Sequence, residues 1–253
     1  MTSRLQVPDS QLGSPLGRVS PVVKLAVAFA WLGGLAFTIE VAPPAFLAAA
    51  AFLAALTAGG VRVSRFVTGA APLFLAATGI GVFNMLFSGS NSDPAAPLAF
   101  QLGPVRVVQP ALEAGLGLFA RVVAIATTAV TFSQTTDSTR LVDSLVRQAR
   151  LPARFGYGAL AAYQSIPRLA EDLASLRASR RIRGMRATWH PRLLVGLLIR
   201  AIRHGDALAL AMDARAFGLA ERTWFRELRW RFADLVVGIA GVVLLVFAVS
   251  LGR

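Results

Sequence analysis

Two short stretches set an arginine among small and apolar neighbours. They are Ile182-Arg183-Gly184, in "RRIRGM" (180–185), and Ala214-Arg215-Ala216, in "AMDARAFG" (211–218). A guanidinium holds five N–H donors in a planar fork and pairs bidentately with carboxylates. Each stretch closes a segment of helical composition, and the flanking Ala and Gly keep that end slim enough to enter a groove. The chemistry on offer is docking to an acidic partner, with Arg183 and Arg215 as contacts and Gly184, Ala214 and Ala216 as clearance. Arg180 and Arg181 add charge to the first end, while Asp213 braces the second and Gly218 stops it.

Reaction chemistry lacks its residues. Lys24 is the single lysine and no glycine directly precedes it, so there is no Walker A sequence and ATP is not hydrolysed by this chain. No G-x-S-x-G occurs; the nearest text, "FSGSNSDP", is a turn cluster. His190 and His204 stand apart without an H-E-x-x-H frame, and Glu171-Asp172 is a lone acidic pair among arginines. Cysteine is absent, which removes thiol, disulfide and iron–sulfur chemistry. The reading is a non-catalytic chain with no metal and no cofactor.

What must position two docking arginines is a membrane protein. Of 253 residues, 55% are hydrophobic and only 15% charged, against about 25% in soluble domains. The mean hydropathy is +0.61. The net charge of +13 comes from 26 basic residues, and 18 of them lie between Arg140 and Arg231. In a membrane protein such a cluster marks the cytoplasmic side. Nucleic-acid binding is not indicated, because no groove-reading module or basic-aromatic interleaving accompanies the charge.

Apolar runs of about 17–25 residues are candidate spans. Five are read: 21–39, 44–61, 72–87, 110–132 and 232–251, with Pro21, Pro44, Pro72 and Pro110 at their entrances. Arg4 and Arg18 precede the first span, Lys24 lies at its start, and Arg62 and Arg65 follow the second. The other two loops hold one arginine, Arg106. The N-terminus is therefore cytoplasmic and the C-terminus outside. Arg121 falls near the middle of the fourth span and must face protein or water there, either as a partner contact or bonded to carbonyls.

Residues 1–20 read as a cytoplasmic tail and 21–133 as a four-span region. Residues 134–231 form a cytoplasmic or interfacial coupling block, and 232–253 the final span. A connection as long as the block is not a structureless loop. Three helices are expected in it: 136–150, capped by Asp137 or Ser138, then 152–185 and 190–218. The apolar stretches 155–167 and 193–202 are short for a crossing and belong at the interface or in the bundle. The fold class is an all-α membrane protein with about five transmembrane helices and a three-helix coupling region before the last.

With both arginine stretches and this setting in place, the chain resembles the transmembrane T component of energy-coupling factor (ECF) transporters. Members carry two Ala-Arg-Gly-like motifs at the ends of two cytoplasmic coupling helices. "LVDSLVRQARLP", "IPRLAEDL" and "ERTWFRELRWRFADL" also look family-like, so the resemblance covers roughly 110–235. It implies two ABC-type ATPase subunits whose grooves receive Arg183 and Arg215. It further implies a small substrate-binding S component and a prokaryotic plasma membrane. Ile182 stands where Ala is usual and Ala216 where Gly is usual, and both add volume at a close approach. The alternative is a scaffold or permease of another ABC-type system, whose basic face binds anionic lipid or an acidic partner.

Overall fold

The computed structural model describes residues 13–38, 40–93, 95–102, 105–185, 190–218 and 230–252. Parts of the tail (1–12) and of "ERTWFRELRWRFADL" (221–229) lie outside them. The helices longer than one turn are α1 Pro21–Ala36, α2 Ala42–Thr57, α3 Val63–Leu86, α4 Gln109–Thr135, α5 Ser138–Arg147, α6 Ala153–Gln164, α7 Ile166–Ile182, α8 Pro191–Ala214 and α9 Phe232–Ser250. The described chain divides into two compact units, 13–141 with 230–252 and 142–218.

The first unit is the membrane unit. Three of its helices, α3, α4 and α9, are long and apolar enough to cross a bilayer, and α1 and α2 are shorter apolar helices. Large apolar side chains point outward, among them Phe29, Leu75, Phe83 and Val246. In water that surface would be costly; in hydrocarbon it is the expected exterior. Small residues set the inner contacts. A Cβ on Gly115 would lie 2.9 Å from the Gly81 carbonyl oxygen, so α3 and α4 meet backbone to backbone. Trp31, Leu35, Leu47, Ala48, Ala51, Ala124 and Ala248 bring α1, α2, α4 and α9 into one core.

Contacts between α1 and α9 rise together along both helices: Val23 with Gly238, Val27 with Gly241, Gly34 with Leu245. The first and last apolar helices therefore run parallel. With α1 and α4 the order is reversed, and each helix supplies a cation to the other's C-terminal end. Lys24 Nζ donates to the Thr135 carbonyl at 2.7 Å, and Arg121 Nη2 donates to the Thr38 carbonyl just beyond α1. Positive charge at a helix C-terminus complements its macrodipole. Arg121 is thus a carbonyl-bonded arginine, and it lies level with the end of α1. The first turns of α4 extend past that end by roughly 18 Å, twelve residues at 1.5 Å each.

Two local features depart from the sequence reading. Pro72 sits inside α3, which begins nine residues earlier at Val63. Lipid-embedded helices tolerate an internal proline, because neighbouring helices and Ser/Thr side chains compensate the freed backbone. The stretch after α3, read as a loop, folds into an antiparallel hairpin of β1 Leu98–Leu102 and β2 Val105–Val108. Asn91 ties it down: its Nδ2 donates to the Met85 and Leu86 carbonyls, and its Oδ1 accepts the Val108 N–H.

The second unit carries α6, α7, α8 and most of α5. Asp137 caps the start of α5, its carboxylate accepting the Arg140 N–H at 3.1 Å. The expected helix over 152–185 is broken at Ser165 into α6 and α7, because Pro167 has no N–H to continue the ladder. His190 caps α8, its Nδ1 accepting the Arg192 N–H. Between α7 and α8, Arg200 pairs with Asp172 at 2.9 Å, and a Cβ on Gly196 would touch Leu176 at 3.5 Å. Both pairings run in antiparallel order.

Candidate functional site

The two arginine stretches close with the same turn. At the end of α7 the Gly184 N–H donates to the Arg181 carbonyl at 3.0 Å, and the Met185 N–H donates to the Arg180 carbonyl at 3.2 Å. At the end of α8 the Ala216 N–H donates to the Asp213 carbonyl at 2.9 Å, and the Phe217 N–H donates to the Met212 carbonyl at 3.0 Å. This pair of bonds is the Schellman arrangement, in which the residue after the cap turns left-handed. Arg183 and Arg215 occupy the cap position in each, with φ −81° and −96°. Gly184 and Ala216 follow, with φ +72° and +57°.

That geometry gives two of the small residues a role within the chain: Gly184 and Ala216 turn the backbone left-handed at each helix end. The family's glycine is the natural choice for a positive φ, and alanine there carries a cost of about 1–2 kcal/mol. Ile182, the other departure, is 87% exposed.

Arg181, Arg183 and Arg215 are exposed, as are Asp213 and Ala214, while Arg180 is half-buried. Asp213 contributes to its helix end through its main-chain carbonyl, the acceptor that closes the turn. The site residues are not gathered at one place. From the crossing of α7 and α8, Arg183 lies seven residues beyond Leu176 and Arg215 nineteen beyond Gly196. At 1.5 Å per residue these arms measure roughly 10 and 28 Å. Because the helices cross antiparallel, the arms leave in opposing directions. One groove cannot hold both arginines.

The surroundings of the two ends also differ. Against the second end stands α6: Tyr157 meets Phe217 edge-on, ring centroids 6.5 Å apart and planes at 81°. Arg154 Nη2 donates to the Gly218 carbonyl at 3.5 Å. Gly218 has φ +102°, and a Cβ there would lie 2.7 Å from Arg154 Nε. Tyr157 is itself fixed, its hydroxyl donating to Asp143 Oδ1 on α5 at 2.8 Å. Arg154, Tyr157 and Asp143 are long-range partners that no local spacing announces, so they were not among the residues singled out from the sequence.

Comparison with known proteins gives the same setting. The family model of CbiQ, the cobalt transport protein, matches residues 13–225. The energy-coupling factor transporter transmembrane protein EcfT of Listeria innocua is 32% identical over 160 residues, covering 56% of this chain and 60% of its own length. The EcfT protein of Thermosediminibacter oceani is 25% identical over 248 residues, 90% of this chain and 89% of its own. That of Lactococcus lactis is 22% identical over 245 residues, 90% and 86% respectively. A family match over most of the chain, on a helical molecule with several apolar spans, decides the membership: this multi-pass membrane protein belongs to the CbiQ family of transport proteins.

Proposed function

We propose that this chain is the energy-coupling T subunit of an ECF-type importer, and that it carries motion from two cassette ATPases to a substrate-binding S component. The observation that carries the reading is the pair of identical arginine-capped turns at the outer arms of an antiparallel helix crossing. Two separated guanidinium forks ask for two acidic grooves, one on each cassette. Arg183 and Arg215 are the contacts. Gly184 and Ala216 shape the turns, Ala214 ends α8 with a small side chain, and Arg180, Arg181, Asp213 and Gly218 support the ends.

ATP binding by the cassettes draws their grooves together and swings α7 and α8. Apolar residues left exposed along α6 and the first half of α8, notably Phe155, Leu194, Val195, Leu198 and Ile202, form the face that holds the S component. The substrate, a transition metal ion or a vitamin, is bound by that component, and this chain has no substrate site. The N-terminus and both arginine ends lie on the cytoplasmic side of a prokaryotic plasma membrane, in keeping with the basic residues of 140–231.

The test is uptake and assembly in Arg183→Ala, Arg215→Ala and the double variant. Each single change is expected to cut ATP-driven uptake sharply while membrane insertion is retained. The double variant should also lose cassette co-purification. Normal uptake in the double variant rules the reading out.

A further inference from the structure

The two arginine ends share a turn but not a mounting. Beyond Arg215 the second and third residues are both engaged by α6: Phe217 by the Tyr157 ring and the Gly218 carbonyl by Arg154. Tyr157 is in turn tied to Asp143 of α5. The corner between α5 and α6 is tight, since a Cβ on Gly156 would lie 2.7 Å from a Val146 methyl. Beyond Arg183, nothing among the described residues stands where a Cβ on Gly184 would project, and Met185 is 41% exposed. One guanidinium therefore leaves a helix end clamped two residues downstream. Among the described residues, the other leaves a turn closed by its own backbone bonds with no side chain from another helix bonded to it.

We propose that Tyr157, backed by Asp143 and Arg154, is a positioning residue that presets Arg215 for its cassette, which makes the Arg215 end the preorganised docking point and the Arg183 end the adaptable one. The proposal rests on the docking function above and adds a difference between the two ends. A clamped end loses less conformational freedom on binding, so it binds tighter for the same contacts. It also passes force differently. Displacement of Arg215 loads α6 and α5 directly through Phe217 and Gly218, whereas displacement of Arg183 travels first along α7 to its crossing with α8.

A double-mutant cycle separates positioning from general stability. The full chain in lipid nanodiscs is titrated with the cassette ATPase pair that co-purifies with it. The variants are Tyr157→Ala, Tyr157→Phe, Arg183→Ala, Arg215→Ala and the Tyr157→Ala doubles. Tyr157→Ala is expected to weaken cassette binding about three- to tenfold, the scale of a lost aromatic pair and one hydrogen bond. Tyr157→Phe keeps the ring and loses the bond to Asp143, so it should fall between Tyr157→Ala and the unsubstituted chain. On the Arg215→Ala background Tyr157→Ala should add little, and on the Arg183→Ala background it should add its full factor.

Equal effects on both backgrounds overturn the inference, because a general folding defect does not distinguish the two arginines. So does unchanged binding in Tyr157→Ala when Arg215→Ala is weakened; the docking function then still stands. Unchanged binding in both Arg183→Ala and Arg215→Ala overturns the docking function and this inference with it.

Discussion

Polar side chains are used in opposite ways in the two units. In the membrane unit they point inward and hold helices together: Lys24 and Arg121 cap partner helices. The Asp234 carboxylate accepts the N–H groups of Ser20 and Arg231 at 2.6 and 2.8 Å. In the coupling unit the arginines that cap the two helix ends face out, while behind them Arg200 pairs with Asp172 and Tyr157 with Asp143. The first unit uses polarity to fix itself and the second presents it to something else. Substitutions should therefore lower stability in the first unit and function in the second.

The largest expected effect on stability is at Asp234, which is 3% exposed and caps the starts of both α1 and α9. Asp234→Ala removes two hydrogen bonds to a charged acceptor and leaves two N–H groups without one, a loss of about 2–5 kcal/mol. The thermal midpoint of the purified chain in detergent should fall by many degrees, with Asp234→Asn in between. Arg183→Ala and Arg215→Ala, measured the same way, should shift stability by under about 0.5 kcal/mol. A large loss of stability in either arginine variant would erase the contrast between the units.

Glycine sharpens it, since one substitution should change sign between units. A Cβ on Gly115 meets the Gly81 carbonyl oxygen at 2.9 Å and Met85 Cβ at 2.8 Å. Neither neighbour can yield without moving α3 from α4, so Gly115→Ala should destabilise by about 1–3 kcal/mol. Gly205, within α8, has nothing within 4 Å of a Cβ. There Gly205→Ala should stabilise by about 0.5–1 kcal/mol through helix propensity. Denaturation of the two variants side by side reads both signs.

The same division explains what the sequence made legible. Apolar runs and arginines between small residues are local signals, and they pointed to the spans, the membrane setting and both arginine ends. Pro72 misled because a rule for soluble helices puts proline at an entrance, while α3 holds it inside. The break at Ser165 had its signal in Pro167, but the apolar run on either side outweighed it. The clamp of Tyr157, Asp143 and Arg154 on the second end joins residues 14 to 64 positions apart, Tyr157 to Asp143 at the near limit and Arg154 to Gly218 at the far one. Such pairings appear only once the chain is folded.

Ala216 offers the smallest and most local test, because it and Gly184 hold the same place in two copies of one turn. Ala216 is one of two non-glycine residues with positive φ among those described, the other being Arg150. Ala216→Gly relieves the left-handed strain but returns freedom to the unfolded chain, for a net gain of about 0.5–1 kcal/mol. Gly184→Ala should lose about as much. The bonds to watch are those from the Phe217 N–H to Met212 and from the Met185 N–H to Arg180. Amide exchange at Phe217 should slow about two- to fivefold in Ala216→Gly, and exchange at Met185 should quicken by a similar factor in Gly184→Ala. If Ala216→Gly leaves exchange at Phe217 unchanged, the clamp from α6 already dominates that end, and the difference between the two mountings outweighs the likeness of their turns.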